Sequence, residues 1–175
     1  MIDEDQAQQN QIQNQFKAFD LKFNNHNHDG RNGFKVDYPN LLNVNQYGIT
    51  TKINVVTALV LTLHTVPQVL VPAQGVNSCI IVEGITAKIY YNGTAYTGAN
   101  NLEFRYTDSS GAKLTDDIAN TFINSGNTNY AHVSGRSTYF NPTPNAPIVV
   151  LTSIANPAVG NSNIIFIVKY RVISL

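Results

Sequence analysis

The chain has 175 residues, enough for one domain with an extension or for two small domains. Charged residues make up only 13%, with 11 basic and 11 acidic side chains, so the formal net charge is zero. A chain without net charge creates no field that steers it towards nucleic acid or an anionic membrane. Such a surface is instead expected of a protein held in an assembly, or of one kept soluble by amides, and Asn alone accounts for 23 residues.

Cys79 is the single cysteine of the sequence, so no disulfide can form within one chain. It lies in an apolar run over residues 79–82, which predicts a buried small side chain rather than a reactive thiol. Residues 1–15 are acidic and rich in Gln, unlike a signal peptide. No apolar run approaches the roughly 18 residues that a membrane span needs, so we expect no membrane insertion.

Residues 1–23 predict a short N-terminal helix with one apolar stripe. The stripe has the a/d spacing of a coiled coil and consists of Ile12, Phe16, Phe19 and Phe23. Two heptads are too few to hold a helix alone in water. We therefore expect other copies of the helix, or another protein, to cover the stripe, which would serve trimerisation and attachment. The alternative is a frayed tail in which the spacing is accidental.

Residues 24–54 show neither helical nor strand periodicity, and Asn, Gly, Asp and Pro39 dominate them. This pattern predicts an extended linker that wraps over a surface. Strand signals then repeat from Val55 onward, so the third predicted segment is a β-sandwich domain over residues 55–175.

The first strands of that domain are predicted from alternation and from breaks in it. Leu59, Leu61 and Leu63 alternate with smaller or polar residues, and residues 66–71 lie between prolines, as in an edge strand. The longest predicted strand covers residues 79–91, and its phase slips by one residue at Glu83, as at a β-bulge.

The rest of the domain holds further strands and one predicted helix. The strands are residues 102–106, 130–133, 148–152 and 164–173, and the helix covers residues 114–124 with Asp116 and Asp117 in its first turn. About eight strands at this spacing imply a mainly β chain folded as an antiparallel, jelly-roll-like sandwich.

The linker contains two histidines, His26 and His28, just before Asp29 and Gly30. In an extended segment residues i and i+2 point the same way. Around a three-fold axis they would form two layers of three imidazoles, and six-coordination favours Fe(II) or Ni(II) over tetrahedral Zn. We therefore consider one iron or nickel ion per trimer. The alternative is an exposed turn whose histidines bind nothing.

The local carboxylate cluster, formed by Asp108, Asp116 and Asp117 with Glu103 upstream, does not predict an enzyme. Glycoside hydrolysis needs two carboxylates that face each other across a cleft, whereas adjacent aspartates at a helix start point to different sides. Helix capping is the better interpretation. The sequence contains no nucleophile elbow, phosphate loop or dinucleotide fingerprint, so we expect no enzymatic activity.

Tyrosines are the remaining binding signal, because they stack on sugars or fill protein interfaces. Six lie near predicted loops and strand ends: Tyr90, Tyr91, Tyr96, Tyr106, Tyr130 and Tyr139. Trp is absent, which weakens a lectin interpretation, so packing in the core and between subunits is the favoured role. His64 and His132 lie singly in strand-like segments and are expected to be core or rim residues.

Taken together, these motifs resemble the fibre and spike proteins of tailed bacteriophages. The resemblance rests on His-x-His-Asp-Gly followed by Asn, and on residues 61–73 (LTLHTVPQVLVPA), 101–108 (NLEFRYTD) and 167–173 (IVKYRVI). It covers roughly residues 24–175, although Gly33 stands where the family often has Ser.

This resemblance implies a β-sandwich that is generally trimeric and belongs to the virion. The expected protein is a homotrimeric head fibre, spike or decoration protein on the surface of the phage particle. Residues 1–54 would anchor it to capsid or tail proteins, and the sandwich would project outward. The alternative is a receptor- or carbohydrate-binding module of a tail fibre, with a glycan of the host surface as its partner.

Overall fold

The computed structural model describes residues 48–98, 101–136 and 142–175. In these residues the chain is mainly β, as predicted from the sequence. The elements follow in this order: β1 (Ile49–Val55), α1 (Thr57–Val60), β2 (Gln68–Val71), β3 (Ser78–Tyr90), β4 (Leu102–Tyr106), α2 (Asn120–Ile123), β5 (Asn129–Ser134), β6 (Ile148–Thr152) and β7 (Asn163–Ser174). No helix within this described part is long and apolar enough to cross a membrane.

The strands form two antiparallel sheets, with the orders β1-β7-β3-β5 and β2-β6-β4. Successive strands lie alternately in one sheet and the other, and the first strand pairs with the last. This strand order is that of a jelly roll, which has eight strands in two sheets. The predicted fold class is therefore confirmed.

The eighth strand position is taken by residues 113–118, most of which lie in the helix predicted over residues 114–124. The backbone of this segment pairs with the free edge of β4: Ile118 N donates to Leu102 O at 3.0 Å, and Leu114 N donates to Phe104 O at 2.9 Å. The predicted helix over residues 114–124 is thus wrong except for its last turn, α2. Pairing gives hydrogen-bond partners to backbone groups that would lack them at an open sheet edge. This gain outweighs the weak helical preference of such a short segment.

The core lies between the two sheets and comes from the alternation of the strands. In β7 the side chains of Ile164, Phe166, Val168 and Tyr170 are buried, as the sequence predicted. The rings of Phe104 and Phe166 meet across the sheets edge to face, with centroids 5.8 Å apart. The Tyr106 hydroxyl on β4 donates a hydrogen bond to the Ile80 carbonyl oxygen on β3, which is a second contact between the two sheets.

Three further predictions from strand chemistry are confirmed. The pairing of β3 with β7 shifts register between Val82 and Gly84, which is the predicted bulge. β2 lies at the edge of its sheet, and the Cys79 side chain is buried. Burial raises the pKa of that thiol, so it stays protonated at neutral pH.

The strand predicted around Leu59, Leu61 and Leu63 is wrong, because this segment begins with helix α1. Val60 N and Leu61 N donate to carbonyl oxygens four residues earlier, at 3.0 Å in both cases. Val60 and Leu63 are completely buried, and their three-residue spacing is helical, which the alternation of leucines concealed.

The sheet also begins earlier than the predicted domain boundary at Val55. β1 starts at Ile49 and pairs with β7 along its whole length, so residues 49–54 belong to the sandwich and not to a linker. Both faces of β1 carry threonines, Thr50 outward and Thr51 inward, which weakens the hydrophobic alternation that marks a strand.

Candidate binding groove

β5 forms an edge of the four-stranded sheet, and this edge provides one wall of a groove. Residues along an antiparallel ladder alternate between bonding to the neighbouring strand and facing away from it. Gly135 N donates to Glu83 O at 2.9 Å, which sets the phase of the ladder. The backbone groups of Tyr130 and His132 therefore turn away from β3. The Tyr130 N–H is bonded to Asn129 Oδ1 at 2.8 Å.

The opposite wall of the groove is the segment that leads into α2. Arg136 N donates to Leu114 O at 2.9 Å, and Thr115 pairs with Gly135, which closes one end. Beyond this point the two walls separate and enclose a volume of about 310 Å³. The lining residues are Asp117, Ile118, Ala119, Thr121, Phe122, Asn129, Tyr130, Ala131, His132 and Val133.

Two tyrosines and a lysine stand beside the groove on the outer face of the sheet. The Lys88 Nζ lies 4.0 Å from the ring centroid of Tyr90 and 4.9 Å from that of Tyr130. Contacts with the phenols of Tyr130 and Tyr90 raise the pKa of Lys88, so the ammonium group persists at neutral pH. Tyr130 is 62% exposed, and its ring is held in place without being covered.

His132 occupies the next position of β5 on this face. Its Nδ1 lies 2.9 Å from the Thr86 hydroxyl oxygen. The imidazole passes over Gly84, where a Cβ atom would lie 3.1 Å from the His132 Cε1. Because Gly84 at the bulge has no side chain, it leaves space for the His132 ring. His132 is an exposed rim residue, as the sequence predicted.

The carboxylates near the groove are engaged in ion pairs. Lys113 Nζ lies 3.0 Å from Asp117 Oδ1 and 2.8 Å from Glu103 Oε1, and Arg105 Nε lies 2.7 Å from Glu103 Oε2. Burial by itself would raise the pKa of Glu103, but hydrogen bonds from Lys113 and Arg105 outweigh it and hold the pKa below its ordinary value. Glu103 is therefore ionised at neutral pH. Because the nearby carboxylates are paired with cations, the groove offers mainly aromatic, amide and backbone groups for binding.

The predicted role of Asp116 and Asp117 as helix caps is wrong. Both precede α2, and the N-cap of that helix is Ala119, which makes no side-chain capping bond. Asp117 pairs with Lys113 instead. The side chain of Asp116 is 92% exposed and lies 4.0 Å from Arg136.

The structure divides the tyrosines that the sequence singled out. Tyr96 and Tyr106 are buried, and each donates a hydrogen bond to a backbone carbonyl. Tyr90, Tyr91 and Tyr130 are exposed. Lys88 was not predicted as a site residue, although its position two residues before Tyr90 in a strand places both on one face.

The other sequence-predicted site residues lie outside the described part of the chain. They are His26 and His28, the helix positions Ile12, Phe16, Phe19 and Phe23, and Tyr139. Within residues 48–98, 101–136 and 142–175, no three His, Cys, Asp or Glu side chains stand close enough together to hold a metal ion.

Comparison with known proteins gives partial structural likenesses. No protein-family model and no curated protein sequence matches the chain. One solved structure, "Capsid of Ralstonia phage GP4", is 13% identical with a TM-score of 0.44, and the match covers 75% of this chain and 88% of that chain. Another, "Cyanophage Pam1 capsid asymmetric unit", is 11% identical with a TM-score of 0.42, over 71% and 86%. Scores at this level assign neither a fold family nor a function.

Proposed function

We propose that the chain is a structural protein of a tailed-phage virion, a homotrimeric head fibre, spike or decoration protein without enzymatic activity. Residues 1–48, which precede β1, contain the anchoring arm, and the sandwich projects from the particle. The observation that carries this proposal is the sequence resemblance to phage fibre and spike proteins, read together with where its segments lie in the fold.

Those segments belong to one folded body. Residues 61–73 run from the end of α1 through β2, residues 101–108 contain β4, and residues 167–173 lie within β7. β2 and β4 flank β6 in one sheet, and β7 is central in the other. Because a fold alone hosts many functions, the jelly roll supports the proposal only through these matching segments.

The homotrimer in this proposal rests on two features of the sequence. The stripe of Ile12, Phe16, Phe19 and Phe23 needs a partner surface, and a chain with zero net charge has little to keep copies apart. His26 and His28 follow the stripe, and three copies meeting on an axis would bring their imidazoles together.

The proposal is tested by the composition of purified particles. Particles of the phage that encodes the chain are purified on a density gradient, washed at high salt and analysed by quantitative mass spectrometry. We expect the chain at a constant ratio to the major capsid protein in every particle fraction. Its absence from washed particles, with the chain found only in the lysate, would contradict the proposal.

A second candidate function is the binding of a host-surface glycan, and the groove beside β5 favours it. Tyr130 is an exposed aromatic ring at the rim of a groove that also offers Asn129, Thr121 and the outward-facing backbone of His132 on an edge strand. Sugars are commonly bound by a stacked ring together with hydrogen bonds of this kind. This function is compatible with a place on the virion surface.

A glycan array probed with the full-length protein tests this second candidate. The Tyr130→Ala variant should lose about five-fold or more in affinity, because one stacking contact is worth ~1 kcal/mol. The matched control is Tyr91→Ala, since Tyr91 is also exposed but does not line the groove. Binding that is absent in the wild type, or unchanged in Tyr130→Ala, would contradict a glycan site here.

A further inference from the structure

The described loops at one end of the sandwich carry no charged side chain. This end is formed by the loops 56–67, 91–98, 119–128 and 153–162, which we call the charge-free end, and none of them contains Asp, Glu, Lys or Arg. β1, β3 and β6 finish at this end, and β5 and β7 begin there. Surface loops ordinarily supply many of a protein's charges, so this absence needs a physical reason.

The same end exposes large apolar side chains from two of these loops. They are Val56 (43% exposed), Leu59 (39%), Val66 (52%), Ile154 (69%) and Val159 (62%). Single exposed apolar residues are normal on a protein surface, but a group of them on neighbouring loops without intervening charge is typical of an interface.

Hydrogen bonds join the loops of the charge-free end to one another and hold them in place. His64 N donates to Asn156 Oδ1 at 2.8 Å, and Thr97 N donates to Ala158 O at 2.8 Å. Asn124 Nδ2 also donates to Gly98 O at 2.7 Å. A surface that is already ordered loses little conformational entropy on binding, which favours association.

The outer face of the four-stranded sheet has the opposite character. It carries four cationic side chains, Lys52, Lys88, Lys169 and Arg171, with the Glu83 carboxylate 3.2 Å from Lys169. Two copies that met through this face would bring like charges together, which opposes association. The charge-free end imposes no such penalty on two identical surfaces.

We propose that the charge-free end is the surface through which the sandwich contacts a second copy of this chain. The proposal deepens the proposed homotrimer by naming a contact in the sandwich, and it does not depend on the location of the protein in a virion. Apolar residues of one copy cover those of the next, and the lack of charge avoids burying an unpaired ion.

The test places a single charge in the charge-free end of the full-length protein. Val66→Lys and Ile154→Lys are made separately, because both side chains are exposed and neither belongs to the core. Val76→Lys is the matched control, since Val76 is 73% exposed in the loop between β2 and β3 at the opposite end. Circular dichroism and thermal unfolding first establish that each variant is folded.

Sedimentation equilibrium over a dilution series in the micromolar range then gives the dissociation constant. We expect the wild type to associate, and each lysine in the charge-free end to raise the dissociation constant at least about ten-fold, while Val76→Lys leaves it unchanged. A wild type that is monomeric throughout overturns the proposal, as do lysines without effect or an equal effect of the control. If the chain is nevertheless present in washed particles, the virion proposal stands while this contact fails.

Discussion

The Glu103 carboxylate lies 2.8 Å from the Lys113 ammonium nitrogen, although Glu103 is a buried residue on β4. Lys113 belongs to the segment that takes the eighth strand position, so the ion pair fastens this segment to the sheet. Arg105 completes the pairing and also donates to the Gly111 carbonyl at 2.7 Å. The pair therefore supports the groove wall that Asp117 and Ile118 form.

Glu103→Gln should lower the free energy of unfolding at pH 7 by about 1 to 3 kcal/mol, because two charge-assisted hydrogen bonds weaken. The folded-state pKa of Glu103 lies below its ordinary value, so its stabilisation is complete above the unfolded pKa of about 4.3. It is lost as the pH falls through the folded pKa. Urea unfolding across this range should show the wild type and Glu103→Gln converging in acid.

The matched control for this titration is Asp116→Asn, whose carboxylate is almost fully exposed. Its free energy of unfolding should follow that of the wild type at every pH, because surface ion pairs contribute little. A Glu103→Gln deficit that persists undiminished in acid would contradict the ion-pair explanation.

Gly160→Ala should destabilise the sandwich by about 2 kcal/mol or more. Gly160 has φ +83°, and an added Cβ would lie 2.3 Å from Cδ1 of the buried Tyr96 ring. Gly126→Ala is the control, since a Cβ there meets nothing within 4 Å. Thermal unfolding of both variants measures the difference, and equal melting temperatures would show that the Tyr96 contact is not constraining.

Val159→Asn should stabilise the protein by about 1 kcal/mol, because asparagine tolerates the left-handed backbone region better than a β-branched residue does. Val159 has φ +56° and is well exposed in the single chain, so little packing within the sandwich is lost. Val76→Asn, at another exposed valine, controls for the change in polarity. A lower melting temperature for Val159→Asn than for the control would contradict this explanation.

Deletion of residues 1–23 should abolish incorporation into particles and leave the sandwich folded. The reason is that the apolar stripe lies within these residues, whereas the first strand of the described sandwich begins at Ile49. The measurement compares occupancy on particles that lack the chain with the circular dichroism of the truncated protein. Full occupancy by the truncated protein would exclude residues 1–23 as the attachment device.

The double variant His26→Ala, His28→Ala should lower the thermal stability of the trimer without altering the spectrum of the sandwich. Elemental analysis of the wild type should find about one iron or nickel per three chains. Binding should weaken as the pH falls through about 6.5, because imidazole must be neutral to coordinate a metal. A wild-type protein that contains no metal and has the same melting temperature as the double variant would contradict the metal site. The segment around His26 and His28 would then be a polar turn.

Much of the fold was predictable because the strands of the core alternate cleanly. β7 alternates buried and exposed residues from Ile164 to Tyr170, and the bulge near Gly84 is visible as a slip in the pattern. In β1, threonines lie on both faces, so apolar and polar residues do not alternate and no strand was predicted there. The alternation of apolar and polar residues therefore predicted the central strands of the sheets better than the edge strands.

The errors at residues 57–66 and 113–118 have different causes. The helix α1 was missed because its leucines alternate as they would in a strand. Residues 113–118 are ordered by pairing with β4, which no local pattern reveals. The groove was not predictable because its two walls are paired through contacts between residues distant in sequence. The tyrosines were a signal for it, but the sequence alone does not separate the exposed Tyr90 and Tyr130 from the buried Tyr96 and Tyr106.

The most direct test of the central claim is a cryo-electron microscopy map of the purified, salt-washed particle. We predict density for three copies of this jelly roll around a three-fold axis on the outside of the particle, with the arm directed towards the surface beneath. A well-resolved map that accounts for all external density without this jelly roll would contradict the assignment.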